Sequence, residues 1–174
     1  KSLKSYLKSK LYLFENLIKK NGQIILDSTI PQFDKIKKIS NKKKIRLATV
    51  FGKNSDLELI AHIYDNEQQI LKIRYKSKIF NIKLNLIGKI QIKNILMAIL
   101  TAINSNLDIN KIIKIIDKIK PVEGRLEKIG ALKNKSKVLL DYAHTPDALE
   151  TVLINIKDQF PLSKICLVFG CGGD

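Results

Sequence analysis

Apolar positions along this chain follow two rhythms, one of three and four residues, the other of two residues or short unbroken runs. Leu3, Leu7, Leu11, Phe14 and Ile18 keep the first rhythm and predict an amphipathic helix over 2–20. "NGQIILD" then reads as a turn and a short strand, and the Lys-, Ile-, Ser- and Asn-rich stretch 35–44 as a short helix and loop. Segments 45–51, 57–64, 69–75 and 78–86 read as strands separated by turn signals such as "GKNSD" and "DNE", the last three as an antiparallel meander. Helical spacing returns over 91–104, with Ile92, Ile95, Leu96, Ile99 and Leu100 on one side, and over 109–120, where Pro121 stops it.

A polar connector, "GRLEKIGALKNKSK", leads to a strand–helix–strand unit ending in "KICLVFGCGGD". Val138-Leu139-Leu140 suits a strand buried on both faces of a parallel sheet. After it, Thr145 is placed to accept a first-turn N–H, Pro146 fits the first helical position, and Leu149, Val152, Leu153 and Ile156 continue at helical spacing. Asp141 to His144 therefore occupy a strand-to-helix turn, the carboxyl edge at which open α/β sheets bind ligands. These elements predict an α/β chain in two parts, 1–130 and 131–174, with the boundary in the connector near Gly130. The lack of an initiating Met, and an end inside a glycine loop, are read as a fragment spanning the later part of one domain and the start of the next.

With 174 residues, 45% of them hydrophobic, the chain is large enough for a real core. Its longest apolar run, Ile95–Leu100, is far short of the roughly 20 residues of a membrane span. Cys166 and Cys171 match no metal-ligand spacing and read as reduced thiols of a cytoplasmic protein. The balance of 32 Lys and Arg against 16 Asp and Glu, a formal +16, favours polyanions and raises the reading of a nucleic-acid-binding module. Against that module, the lysines are spread through every segment, arginine occurs only at Arg46, Arg74 and Arg125, and no recognition motif stands out, so a solvated Lys-rich surface is preferred.

"DYAHTPDALE", followed by "FGCGGD" and preceded by "GRLE", resembles the ATP-dependent Mur ligases, nearest the branch that adds the third amino acid of the peptidoglycan stem peptide. "YLKSKLYLF" and "GKIQIKN" resemble helix motifs of that family's central domain. The resemblance implies the C-terminal part of a central ATP-binding domain, then the start of a Rossmann-like C-terminal domain. It implies an ADP-forming amide ligase working through an acyl phosphate with ATP and Mg2+. The partners implied are UDP-N-acetylmuramoyl-L-alanyl-D-glutamate and an amino acid, diaminopimelate or lysine, with a monomeric protein and no specific nucleic acid. A folylpolyglutamate or cyanophycin synthetase type is the rival within the superfamily.

Site residues follow from the same resemblance. Lys10 matches the lysine that is carbamylated to support magnesium; carbamylation needs a neutral amine, which desolvation favours. Asn94 matches an adenine-contacting amide, and Gln91 stands where the motif has another asparagine. Arg125 is suited to phosphate or ribose, Asp141 to ribose hydroxyls, and His144 to the nucleotide, or else to fixing its own turn. "LDSTIP", with Asp27, Thr29 and Ile30, departs from the family's Asn-Ala-Asp-Asp-like stretch. No G-x-x-G-K-[ST] loop is present, so the 174 residues alone are expected to be inactive.

Overall fold

The computed structural model describes residues 2–170. Strands β1 (Gln23–Asp27), β2 (Arg46–Phe51), β3 (Leu57–Asp65), β4 (Gln68–Tyr75) and β5 (Lys78–Leu84) form one sheet in sequential order. β1, β2 and β3 run parallel, while β3, β4 and β5 form the expected antiparallel meander. Helix α3 (Ile90–Asn104) covers one face. Its Ile92, Ile95, Leu96, Ile99 and Leu100 pack with Val50, Leu57, Leu71, Ile73 and Leu84 into the main core. Alternation along β1 sends Ile24 and Leu26 to the opposite face, where α1 (Leu3–Tyr12) and α2 (Phe33–Lys43) cover them.

Five elements depart from the sequence reading. The helix expected over 2–20 is α-helical only to Tyr12 and widens into a π-helical turn, Leu13–Leu17, closed by Ile18 N–H donating to the Leu13 carbonyl at 3.1 Å. Leu7, Leu11, Phe14 and Ile18 still pack in the second cluster, so the wide turn absorbs one residue without losing the apolar face. The helix expected over 109–120 is α4 (Ile109–Ile113), capped by Asp108, followed by a 3-10 turn, Ile116–Lys118, that buries Ile116.

The polar connector is itself a strand, β6 (Glu127–Ala131), paired antiparallel with β7 (Lys137–Leu140). β7 is therefore not the doubly buried strand of a parallel sheet: Leu140 is exposed, and its partners come from β6. Helix α5 (Pro146–Gln159) starts as expected, with Thr145 Oγ1 accepting the Ala148 N–H at 3.3 Å. The strand predicted after it, with Cys166, is irregular chain without a ladder partner among the described residues, and Val168 and Phe169 are exposed. A strand needs a neighbour to take its N–H and C=O groups, and an apolar run alone does not supply one. The glycine loop with Cys171 and Asp174 lies outside the described residues. Among the described residues no helix is long and apolar enough to cross a membrane.

Candidate functional site

Two turns meet at the start of the hairpin, and one carboxylate holds both. Leu126 has φ 49, a left-handed conformation costing a non-glycine residue about 1 kcal/mol or more, yet its side chain is buried. Asp141 Oδ2 accepts the Leu126 N–H at 2.9 Å, and Oδ1 accepts the Ala143 N–H at 2.8 Å. Glu127 accepts the Gly124 N–H at 2.9 Å, and the Tyr142 N–H donates to the Gly124 carbonyl at 2.9 Å. "GRLE" and "DYAH" are thereby locked together. Arg125 lies 5.8 Å from the Tyr142 ring centroid, and the His144 ring meets Tyr142 edge-on at 5.2 Å. His144 Nδ1 is 3.0 Å from the Tyr142 carbonyl, which fixes the imidazole against its own turn.

The first turn of α3 joins this cluster through amides. Gln91 Nε2 donates to the Arg125 carbonyl at 3.1 Å, and Gln91 Oε1 accepts from Asn94 Nδ2 at 3.4 Å. Asn94 is exposed and keeps its carbonyl oxygen and second N–H available, an adjacent acceptor and donor of the kind a purine edge pairs with. Asn94, Arg125, Asp141 and His144 are thus joined by a chain of contacts through Gln91, Leu126 and Tyr142, and both carboxylate oxygens of Asp141 are engaged by backbone N–H groups.

Lys10 is not part of that gathering. It lies on the exposed face of α1 with its ammonium 5.3 Å from the Tyr6 ring centroid, so the desolvation that favours carbamylation is not found there. Among the described residues, no group of three or more His, Cys, Asp or Glu side chains is arranged to hold a metal ion.

Two further polar networks were not read from the sequence. At the carboxyl end of β1, the buried Asp27 accepts the Thr29 N–H and Oγ1 at 2.8 and 2.7 Å, and the Lys93 ammonium from α3 approaches at 2.6 Å. Burial pushes the Asp27 carboxyl up, but Lys93 and the Thr29 bonds outweigh it and hold it below the ordinary carboxylate value. An Asp ending an apolar strand and followed by Ser-Thr was the available signal for the turn; Lys93 gave none.

The other network surrounds a β-bulge. Leu59 pairs with Ile73 but Ala61 pairs with Lys72, so Ile60 is the extra residue and the strand changes face. Beyond it His62 and Tyr64 turn inward, opposite Leu71 and Gln69, while Ile63 is 59% exposed. His62 Nε2, Tyr64 Oη and Gln69 Oε1 are buried without an aligned hydrogen-bond partner among the described residues. Burial lowers the His62 pKa, and the nearby Lys89 adds to this against the opposing effect of Gln69.

A sheet parallel at one edge, helices on both its faces, and an amide-bearing helix start joined to an Arg/Asp/His turn define an α/β protein with a polar site where α3 meets the hairpin. Residues 1–102 match the Mur ligase middle domain and residues 124–174 the Mur ligase glutamate ligase domain, and the chain belongs to the Mur ligase family. It is 33% identical over 171 residues, 98% of its length and 35% of the relative's, to the UDP-N-acetylmuramoyl-L-alanyl-D-glutamate--2,6-diaminopimelate ligase of Rickettsia prowazekii (strain Madrid E). A solved ligase of that same name superimposes with TM-score 0.72 at 23% identity, covering 100% of this chain and 36% of that one. A MurF ligase from Thermotoga maritima, solved in complex with ADP, gives 0.73 at 16% identity over 90% of this chain and 35% of that one. The chain spans about a third of the length of the curated relatives it matches.

Proposed function

We propose that this chain is the nucleotide-binding portion of an ATP-dependent, ADP-forming ligase that adds the third amino acid, meso-diaminopimelate, to UDP-N-acetylmuramoyl-L-alanyl-D-glutamate in the cytoplasm. The observation that carries the reading is the match over nearly the whole chain to a ligase of that name, from "YLKSKLYLF" to "DYAHTPDALE". Asn94, steadied by Gln91, is assigned to the adenine edge, Arg125 to phosphate or ribose, Asp141 to ribose hydroxyls, and His144 to the nucleotide from across the turn. In such a ligase ATP supplies the phosphoryl group that activates a carboxylate. This chain's own groups would bind and orient the nucleotide and neutralise its charge. Lys10 is retained as the candidate carbamate for Mg2+, and no step is assigned to it. The two-part division, 1–130 and 131–174, is likewise proposed; a cut ahead of Gly124 would keep the β6–β7 hairpin whole.

Titration calorimetry with ADP and GDP at about 0.15 M salt tests the reading, because a +16 chain attracts any polyanion at low salt. ADP is expected to bind more tightly than GDP, with Asn94→Leu erasing the preference. Equal binding of both nucleotides that vanishes with salt would sink the assignment and favour a general polyanion surface. Ligation by these 174 residues alone is expected to be absent, as no phosphate-cradling G-x-x-G-K-[ST] loop occurs in them.

A further inference from the structure

Helix α3 begins without a cap of its own. Lys89, at the N-cap position, makes no side-chain hydrogen bond to the first turn, and the orphan amides there require partners. The Gln91 and Ile92 N–H groups are met locally by the Gly88 and Lys89 carbonyls at 3.1 and 3.0 Å, but the Ile90 N–H and the Gly88 N–H just ahead of the helix are met from α5, 65 and 71 residues later: Asn155 Oδ1 accepts the Ile90 N–H at 3.1 Å, and Gln159 Oε1 accepts the Gly88 N–H at 2.9 Å. Each amide is itself oriented. Asn155 Nδ2 donates to the Thr151 carbonyl at 2.8 Å, turning its oxygen toward Ile90, while Gln159 Nε2 points to the Asn66 carbonyl at 3.4 Å. Gln159 is 4% exposed.

The approach at Gly88 is close, and its backbone conformation disfavours a side chain. A Cβ there would lie 2.6 Å from Leu126 Cδ1 and 3.2 Å from Asn155 Oδ1, and φ is 89. Gly88 therefore lets three segments touch: the start of α3, the Leu126 turn bracketed by Asp141, and the C-terminal end of α5. Gln91 follows Ile90 directly in the first turn of α3, and Asn94 stands one turn further along.

We propose that Asn155 and Gln159 are positioning residues: by capping α3 from a distant helix they fix the orientation of Gln91 and Asn94, and so couple seating of α5 to recognition of a purine. The inference rests on the assignment of Asn94 to adenine. With α5 displaced, the Gly88 and Ile90 amides lose their acceptors and Leu126 its cover, so the first turn of α3 frays and the Asn94 amide loses its direction.

The test uses the 15N-labelled 174-residue chain with adenosine, which is uncharged and so insensitive to the protein's positive field. In the wild type, adenosine is expected to shift the Gln91 and Asn94 resonances, and the Gly88 and Ile90 amides to be protected from hydrogen exchange. Replacing both Asn155→Leu and Gln159→Leu is expected to speed exchange at those two amides by about tenfold or more and weaken adenosine about tenfold, with the sheet amides unchanged. Asn155→Asp keeps an acceptor for the Ile90 N–H but loses the donation to the Thr151 carbonyl that aims it, and is expected to fall between wild type and the double variant in both readouts. Faster exchange with unaltered adenosine affinity would reduce the cap to a structural role and overturn the proposal, as would unaltered exchange. If the double variant does not fold, Asn155→Leu alone is judged by the same two readouts. A wild type that binds no adenosine overturns the nucleotide assignment and the positioning role together, whereas binding that survives the double variant overturns the positioning role alone.

Discussion

The sheet with α3 and the segment 124–170 are stabilised in different ways. The first buries fourteen apolar residues in one cluster, with Leu57, Leu71, Ile73, Leu84, Ile92 and Leu96 at 0% exposure. The second contributes a single buried apolar side chain, Leu126, and attaches through amides and ions: Gln91 to Arg125, Asn155 to Ile90, Gln159 to Gly88, and Lys128 and Lys137 to Glu67. Apolar burial scales with area and is indifferent to small displacements, whereas each hydrogen bond is directional and contributes only about 1 kcal/mol net. The sheet is therefore a rigid base, and the seam is the part of the molecule able to open at low cost without unfolding it.

Core truncation is the largest effect expected. Leu96→Ala leaves a cavity between α3 and the sheet and should lower global stability by about 2–5 kcal/mol, seen as a shifted denaturant midpoint. A shift below ~1 kcal/mol would mean that the core is not the cooperative unit. Next comes Lys93→Met, which strands the buried Asp27 carboxylate without its cation and should cost about 1–3 kcal/mol. Because Asp27 is held below its unfolded value of ~3.9, its contribution is fully present above that pH and is lost as pH falls through the folded value. Asp27→Asn should flatten that acid limb of the stability curve.

Gln159→Ala probes the other region. Exchange at Gly88 should accelerate while Leu71 and Ile73 amides keep wild-type protection, and the global midpoint should move by less than about 1 kcal/mol. Equal acceleration in sheet and seam would erase the distinction between them.

That distinction also governs what could be read in advance. The apolar stripe of α3, the meander and the Thr145–Pro146 start of α5 are set by neighbours a few residues away, and the letters carry them. β6 has no alternation to declare it, and exists because β7 pairs with it. The bulge at Ile60 is equally silent: simple alternation would send Ala61 and Ile63 inward in place of His62 and Tyr64. At the site, the resemblance carried by "GKIQIKN", "GRLE" and "DYAHTPDALE" named Asn94, Arg125, Asp141 and His144, but Asp141's hold on Leu126 and the reach of Asn155 and Gln159 to α3 depend on contacts 15 to 71 residues apart. No local rule encodes such separations.

His62, beneath the seam, tests whether the inverted face matters. Its pKa is lowered by burial, with Lys89 adding to the effect, so the neutral ring is favoured in the fold. The stability it contributes is complete above the unfolded value of ~6.5 and declines as pH falls from there to the folded value. Tyr64, raised by burial and by Asp158, remains neutral across this window, leaving His62 as the titrating member of the pair. His62→Phe should remove the decline. A variant whose stability still falls as steeply over the same range would show that the bulge does not hold His62 inside.

The smallest effect is expected at the seam's outer edge. Glu67, in the β3–β4 turn, meets Lys128 at 2.7 Å and Lys137 at 3.6 Å, tying the turn to both strands of the hairpin. The Lys128 hydrogen bond, aided by the charges of both lysines, lowers the Glu67 pKa despite partial burial. All three side chains are a third or more exposed, and such pairs contribute about 0–1 kcal/mol, less as salt rises. Glu67→Gln should therefore leave the denaturant midpoint nearly unchanged, yet speed exchange of the β6 amides at low salt and not at high salt. Salt-independent acceleration would assign the hairpin's attachment to packing around Leu126, and the seam would then be closer in kind to the core than its polar contacts suggest.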